Sequence, residues 1–365
     1  MAIAGWTRLV GSSTRIVGLD VARGLAVIGM FAAHVLILDP FDWSTPGTWG
    51  AIVNGRSSVL FATLAGVSIA IISGRAEPFD GVQLVRARVR ILVRAVIIFV
   101  LGGLLVATNV NIYVILEYYA VYFVLALPFL RWRPRSLLVL AGGLAIVAPI
   151  VHVVGAAAFA SSGLAYSMIV QLVLTGEYPA IIWMVFVLTG LAIGRLDLSR
   201  TGVRVRLVVG GAIASVVGYG AGAVAIAVFG PSDVFTTEPH SGSPFEVVGA
   251  VGCAVAIIGL CLLVARSLRF VVFPLAAVGS MALTAYTGQI LAIVLVWHGG
   301  QDYWIAGYDN APIFLALAIG ALVGCTLWAL FLGRGPLERV LGWASTSAAR
   351  AVPEPAPKLD PTPKN

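Results

Sequence analysis

Charge is what this sequence has least of. Only 11% of its 365 residues are Asp, Glu, Lys or Arg, against 60% hydrophobic, and the mean hydropathy is +1.00. No soluble domain buries that much apolar surface, which excludes a soluble fold and leaves a polytopic membrane protein. Lysine is almost missing: Lys358 and Lys364 are the only two among 23 basic residues. The Arg, Ala and Val richness fits a GC-rich genome, and the expected location is a bacterial inner membrane, crossed several times. Cysteine is scarce as well. Cys253, Cys261 and Cys325 all fall in apolar runs, too few for a disulfide framework or a thiolate metal site, so they are read as packing. The four histidines have no ligand spacing, and no metal is expected. Walker, GxGxxG, HExxH and GxSxG motifs are absent at any useful place. No small-x-small cleavage site closes the first apolar run, which is therefore expected to stay as an uncleaved span.

What is present is a series of apolar runs. They predict an all-α protein of about ten transmembrane helices, near 19–38, 55–74, 91–108, 112–130, 137–157, 179–196, 207–229, 245–265, 271–298 and 312–333. With both termini in the cytoplasm, the arginine clusters at 75–94, 131–135, 195–206, 266–269 and 334–339 all fall on the cytoplasmic side. Only Arg23 and Arg56 do not, so 21 of 23 basic residues obey the positive-inside rule. The charge of +7 is thus topology, with anionic lipid as its partner and nucleic acid excluded. The expected organisation is a cytoplasmic segment 1–18, a single membrane domain 19–345 and a disordered, proline-rich tail 346–365. A homodimer is compatible with the sequence.

The chain's chemistry concentrates in Gly18–Gly66. Asp20 and Arg23 are spaced to pair on one helix face. Arg23 and His34 lie about three turns apart, ~16 Å, and share a face, one near each end of the span. Ionisable groups inside a span usually line a cavity or pathway, so His34 is the first candidate for a site; the plainer reading is a histidine bonded to the next helix. Glu117 is the sole acid well inside a span, and a histidine or arginine partner is expected for it. Gln289 reads as interhelical glue. His152 follows Pro149 and reads as a satisfied polar group at a kink. His240 lies in an outer loop, and His298 ends a span at the interface. Arg56 is the only basic residue opening a span on the outer side, which invites a binding role. Outer loops are acidic and aromatic, with Asp302, Tyr303, Trp304, Tyr308 and Asp309 in 299–311.

The stretch Leu19-Asp20-x-x-Arg23-Gly24 with R-x10-H resembles the transmembrane acyltransferase superfamily. GRSSVLFATLAG (55–66), ILEYYAVYFVLALP (115–128), GEYPAIIWMVFVLTGLAIGR (176–195), PHSGSPFEVVG (239–249), GSMALTAYTGQIL (279–291) and GPLERVLGW (335–343) are similar, in that order, to its heparan-α-glucosaminide N-acetyltransferase-like and YeiB-like members. The R-x10-H pattern is that of the family-3 membrane acyltransferases. The resemblance implies acyl transfer from cytoplasmic acyl-CoA, acetyl-CoA first, to an extracytoplasmic glycan or glycolipid. It implies His34 as general base or acyl carrier, with Glu117 supporting. Arg23 and Asp20, with Arg88 and Arg90, would hold the donor, and Arg56 and His240 would stand on the acceptor side. The glucosaminide enzymes carry a reactive histidine in the outer loop after the first core helix; loop 39–54 has none. A proton-coupled transporter or flippase using the same polar residues is the alternative, and a non-catalytic scaffold the third reading.

Overall fold

A computed structural model describes residues 15–353 except 43, 161 and 299–309, and no side chain at 165, 297 or 298. The outer loop 299–309, His298 as a side chain, and the tail beyond 353 therefore lie outside the described residues. Every regular element among the described residues is helical. In chain order these are α1 (Val17–Val35), a 3₁₀ turn (Pro46–Val53), α2 (Arg56–Ile72), α3 (Gly81–Val106), α4 (Leu116–Leu125) and α5 (Pro134–Phe159). A short α segment (Met168–Val170) and a π turn (Gln171–Thr175) lead into α6 (Ala180–Gly194). Then come α7 (Thr201–Phe229), α8 (Pro244–Val264), α9 (Phe273–Ser280), α10 (Ala282–His298), α11 (Ala311–Phe331) and α12 (Pro336–Arg350).

Among the described residues seven helices are long and apolar enough to cross a membrane, and two bent pairs raise the number to nine. This is a polytopic membrane protein, with fewer full crossings than the ten expected. The shortfall is α4. Its run, expected over 112–130, is helical for only 10 residues, ~15 Å, half a hydrocarbon core. A turn through Asn109, at φ 55°, precedes it, and Pro128 closes it in a 3₁₀ turn. The expected span 271–298 is real but bends by 83° between α9 and α10.

The bundle has a buried centre and a lipid-facing shell. In α6 every residue except Ile181 is buried. α2 and α5 pack on it most extensively and α4 and α8 more lightly, while the outward faces of α3, α5, α7 and α11 expose most of those helices' apolar residues. Lipid gives no hydrophobic drive to pair helices, so close approach of backbones does the work. Gly66 and Gly190 sit at the α2–α6 crossing, where a Cβ on either would collide with the carbonyl of Val187 or Thr63. At one end of this pair Arg195 is buried with no carboxylate partner among the described residues. It donates to the carbonyls of Arg75 (2.6 Å), Ser73 (3.4 Å) and Leu130 and to Ser73 Oγ (2.8 Å). The residue counted as topological charge is thus a staple that ties α2, α4 and α6.

Candidate functional site

The expected Asp20–Arg23 pair forms. Arg23 Nη1 lies 2.8 Å from Asp20 Oδ1, and Arg15 Nε 2.5 Å from Asp20 Oδ2. Arg23 also donates to the carbonyl of Gly279 (3.1 Å) and to Ser68 Oγ (3.4 Å), so the cluster joins α1, α2 and α9. At the other end of α1, His34 Nδ1 hydrogen-bonds with the Gln289 side-chain amide at 3.1–3.2 Å and meets the Tyr286 ring edge-on at 6.1 Å. Gln289 is thus the interhelical link expected of it, and His34 its partner. Glu117 is brought to neither. It opens α4 against Gly102, and among the described residues no basic group pairs with it, contrary to expectation.

Two cavities sit at opposite ends of α2, α6 and α8. One, of about 630 Å³, is lined by Arg15, Arg75, Arg204, Arg266 and Arg269, with Asp197 as its acid. These arginines come from four separate stretches that charge alone assigns to one side of the membrane. The other cavity, of about 500 Å³, lies where α2 and α8 begin. Its polar lining includes His152, Glu177, His240 and Glu246, with Tyr118 and Trp183 as aromatic wall. Along α6 the two are separated by the eight residue steps from Phe186 to Gly194, ~12 Å. Neither is lined by Arg23 or His34. Arg88 and Arg90, expected beside the donor, lie on α3 away from the arginine cavity. Arg90 lines a separate groove with Arg86 and Arg350 under α12.

The second cavity is built by local rules. Ser243-Pro244-Phe245-Glu246 opens α8 as a capping sequence, with proline at the first position and Ser243 Oγ accepting from Glu246 N at 3.0 Å. The carboxylate of Glu246 does not close the box; it faces the cavity. His240 precedes this cap at φ 63°, in a region few side chains adopt. Its ring stacks on Trp183 (6.2 Å, 16°), meets Tyr178 edge-on, and places Nδ1 4.0 Å from Glu177 Oε1. Burial and the guanidinium of Arg56 push its pKa down to about 4, so the imidazole is neutral at physiological pH. Arg56 itself is held by Tyr219, with Nε 3.1 Å from the hydroxyl, and by the Asn54 carbonyl. His152 is satisfied by the carbonyl of Leu174 at 2.6 Å, as its reading at a kink required.

Residues 15–226 match the family model described as heparan-alpha-glucosaminide N-acetyltransferase, catalytic, which is more than half of the chain. The chain belongs to that family. Residues 193–347 of this N-acetyltransferase family member also match a model described as protein of unknown function (DUF418), in accord with the YeiB-like resemblance. No curated protein matches the chain. Membership establishes a membrane acyltransferase family. Within it, the sequence pointed to His240 and Arg56 on one side, and the structure sets them in and beside one cavity. Glu177 and Glu246 were missed because an acid beside a turn reads as solvated. The signal available was the acidic half of the SPFE cap, whose glutamate is free to do something else.

Proposed function

We propose that the protein transfers a short acyl group, acetyl in the first instance, from acyl-CoA to a hydroxyl or amine of a glycan or glycolipid. The observation that supports this reading is the pair of chemically opposite cavities on the same three helices of a chain in an N-acetyltransferase family. Several arginines around one volume suit the phosphates of the CoA nucleotide, since guanidinium groups bind phosphate in forked geometry. The arginine excess supports a cytoplasmic setting for that end. Carboxylates, a neutral imidazole and aromatic faces suit a sugar ring and its hydroxyl or amino groups. In the reaction the acceptor oxygen or nitrogen attacks the thioester carbonyl, the C–S bond breaks as the C–O or C–N bond forms, and the acceptor's proton ends on the CoA sulfur.

The pantetheine arm must cover the span between the cavities. The α2–α6 seam is closed backbone to backbone, so the passage we propose runs beside α8, which packs on α7 and α2 and only lightly on α6. The test is a thermal shift of the detergent-solubilised protein with acetyl-CoA, free CoA and an unrelated nucleotide. Stabilisation by CoA species is expected, and it weakens about tenfold in apparent affinity when Arg204 and Arg266 are both changed to Ala. Arg88→Ala/Arg90→Ala leaves it unchanged. If folded protein gives no shift with acetyl-, succinyl- or longer acyl-CoA, transport replaces transfer, and proton flux in liposomes becomes the assay.

A further inference from the structure

His240 is held where a general base would be, by features with no other evident purpose. Its φ of 63° is a strained choice for a residue with a side chain, and such outliers collect at functional sites. The turn that carries it fits only because Gly55 faces it. Gly55 has φ 70°, and a Cβ there would come within 2.9 Å of Pro239 Cβ and 3.6 Å of His240 Nε2. Trp183 and Tyr178 fix the plane of the ring. Nδ1 is withdrawn from solvent, has no hydrogen-bond partner among the described residues, and lies 4.0 Å from Glu177 Oε1. A small rotation closes that gap to a hydrogen bond, and such contacts are often long before substrate binds.

We infer that His240 is the catalytic base of the acceptor cavity and that Glu177 is its positioning partner, a pair that rests on the acyltransferase reading. With the Nδ1 proton directed at Glu177, Nε2 keeps its lone pair for the acceptor. Nε2 takes the proton from the acceptor O–H or N–H as that atom attacks the thioester. The imidazolium formed is stabilised by the Glu177 carboxylate, and the same proton passes to the CoA thiolate as it leaves. Arg56 from α2 and Glu246 from α8 are the other charged groups around the ring, and His152 from α5 is already bonded to a carbonyl. Arg56 disfavours a resting imidazolium, and Glu246 makes no side-chain hydrogen bond among the described residues, so it is available to a second acceptor hydroxyl. His34, by contrast, has its Nδ1 engaged by Gln289 and lines neither cavity.

Two readouts on the full-length protein test the pair. The first needs no acceptor: carbethoxylation by diethyl pyrocarbonate, mapped by mass spectrometry between pH 7 and pH 5. An ordinary histidine loses more than tenfold in reactivity over that range, whereas His240 is expected to react at nearly constant rate. A His240 that does not react, or reacts like an ordinary histidine, overturns the inference. The second is CoA release from acetyl-CoA with a panel of amino sugars and glycans. His240→Gln is expected to lower release at least 100-fold while acetyl-CoA binding persists. Glu177→Gln is expected to lower it about tenfold and move the acidic limb of the pH profile downward. Release that survives in His240→Gln overturns the assignment, as does loss in His34→Gln alone. If wild-type protein releases no CoA although His240 reacts at pH 5 with undiminished rate, the transferase reading fails while the base site stands. Should His240→Gln not fold, His240→Asn and the carbethoxylation profile decide.

Discussion

At the scale of single residues, two ionisable groups show opposite solutions to burial. Arg195 stays charged and is surrounded by carbonyl dipoles from three elements, an arrangement only a planar, five-donor group can fill. Arg195→Lys keeps the charge and strands several acceptors, so it is expected to cost about 3 kcal/mol and to lower the melting temperature in detergent. A lysine variant as stable as wild type would show that the charge alone matters there. His240 stays neutral instead. Its pKa falls from 6.5 to about 4 because the ring is buried and Arg56 is near. Between those values the unfolded chain binds a proton that the folded chain refuses. Stability is therefore full above pH 6.5 and declines as pH falls toward 4, by at most about 3 kcal/mol. His240→Gln should flatten the melting temperature over that window relative to wild type; parallel profiles would remove this residue from the pH response.

At the scale of elements, the bend between α9 and α10 is the informative case. A break inside a span frees backbone N–H groups that lipid cannot satisfy. Here Glu338 of α12 supplies the missing acceptor: Oε1 takes Leu283 N (2.8 Å) and Thr284 N (3.1 Å), and Oε2 takes the Thr284 hydroxyl (2.5 Å). Glu338→Ala is expected to cost about 2–3 kcal/mol and to speed amide exchange at 283–284 in particular. Uniform exchange across α10 would contradict a cap. In the sequence the run 271–298 is apolar enough to read as one span, and its local mark is only the Gly279-Ser280 pair; the acceptor that holds the break lies 55 residues away, in GPLERVLGW. For α4, where apolarity implied a crossing, the marks are local, Asn109 before it and Pro128 after it, and a reading by apolar length passes over them. Apolar length is a one-dimensional property and was legible, while the α9–α10 break is held by what another helix offers and was not.

At the scale of the whole molecule, the arginine bias was legible because it is written in loop composition, and the structure gathers five of those arginines around one cavity. The Asp20–Arg23 pair was legible for a similarly local reason, the spacing of two residues on one helix face. The meeting of Glu177 with His240 and Glu246 was not, because Glu177 lies more than 60 residues from the stretch that carries the other two and shares no spacing with them. The two cavities define a reaction across the bilayer only if they open on different sides, and that is measurable. With Cys253, Cys261 and Cys325 replaced by Ala, single cysteines at the exposed positions Ser199, beside the arginine cavity, and Ser232, in the loop that carries His240, report each side. A membrane-impermeant maleimide applied to intact cells is expected to label Ser232→Cys at once and Ser199→Cys only after permeabilisation. Labelling of both from outside would mean that the arginine end is not cytoplasmic. A donor confined to the cytoplasm could then not reach its arginines, and acyl transfer would have to give way to a reaction completed on a single side.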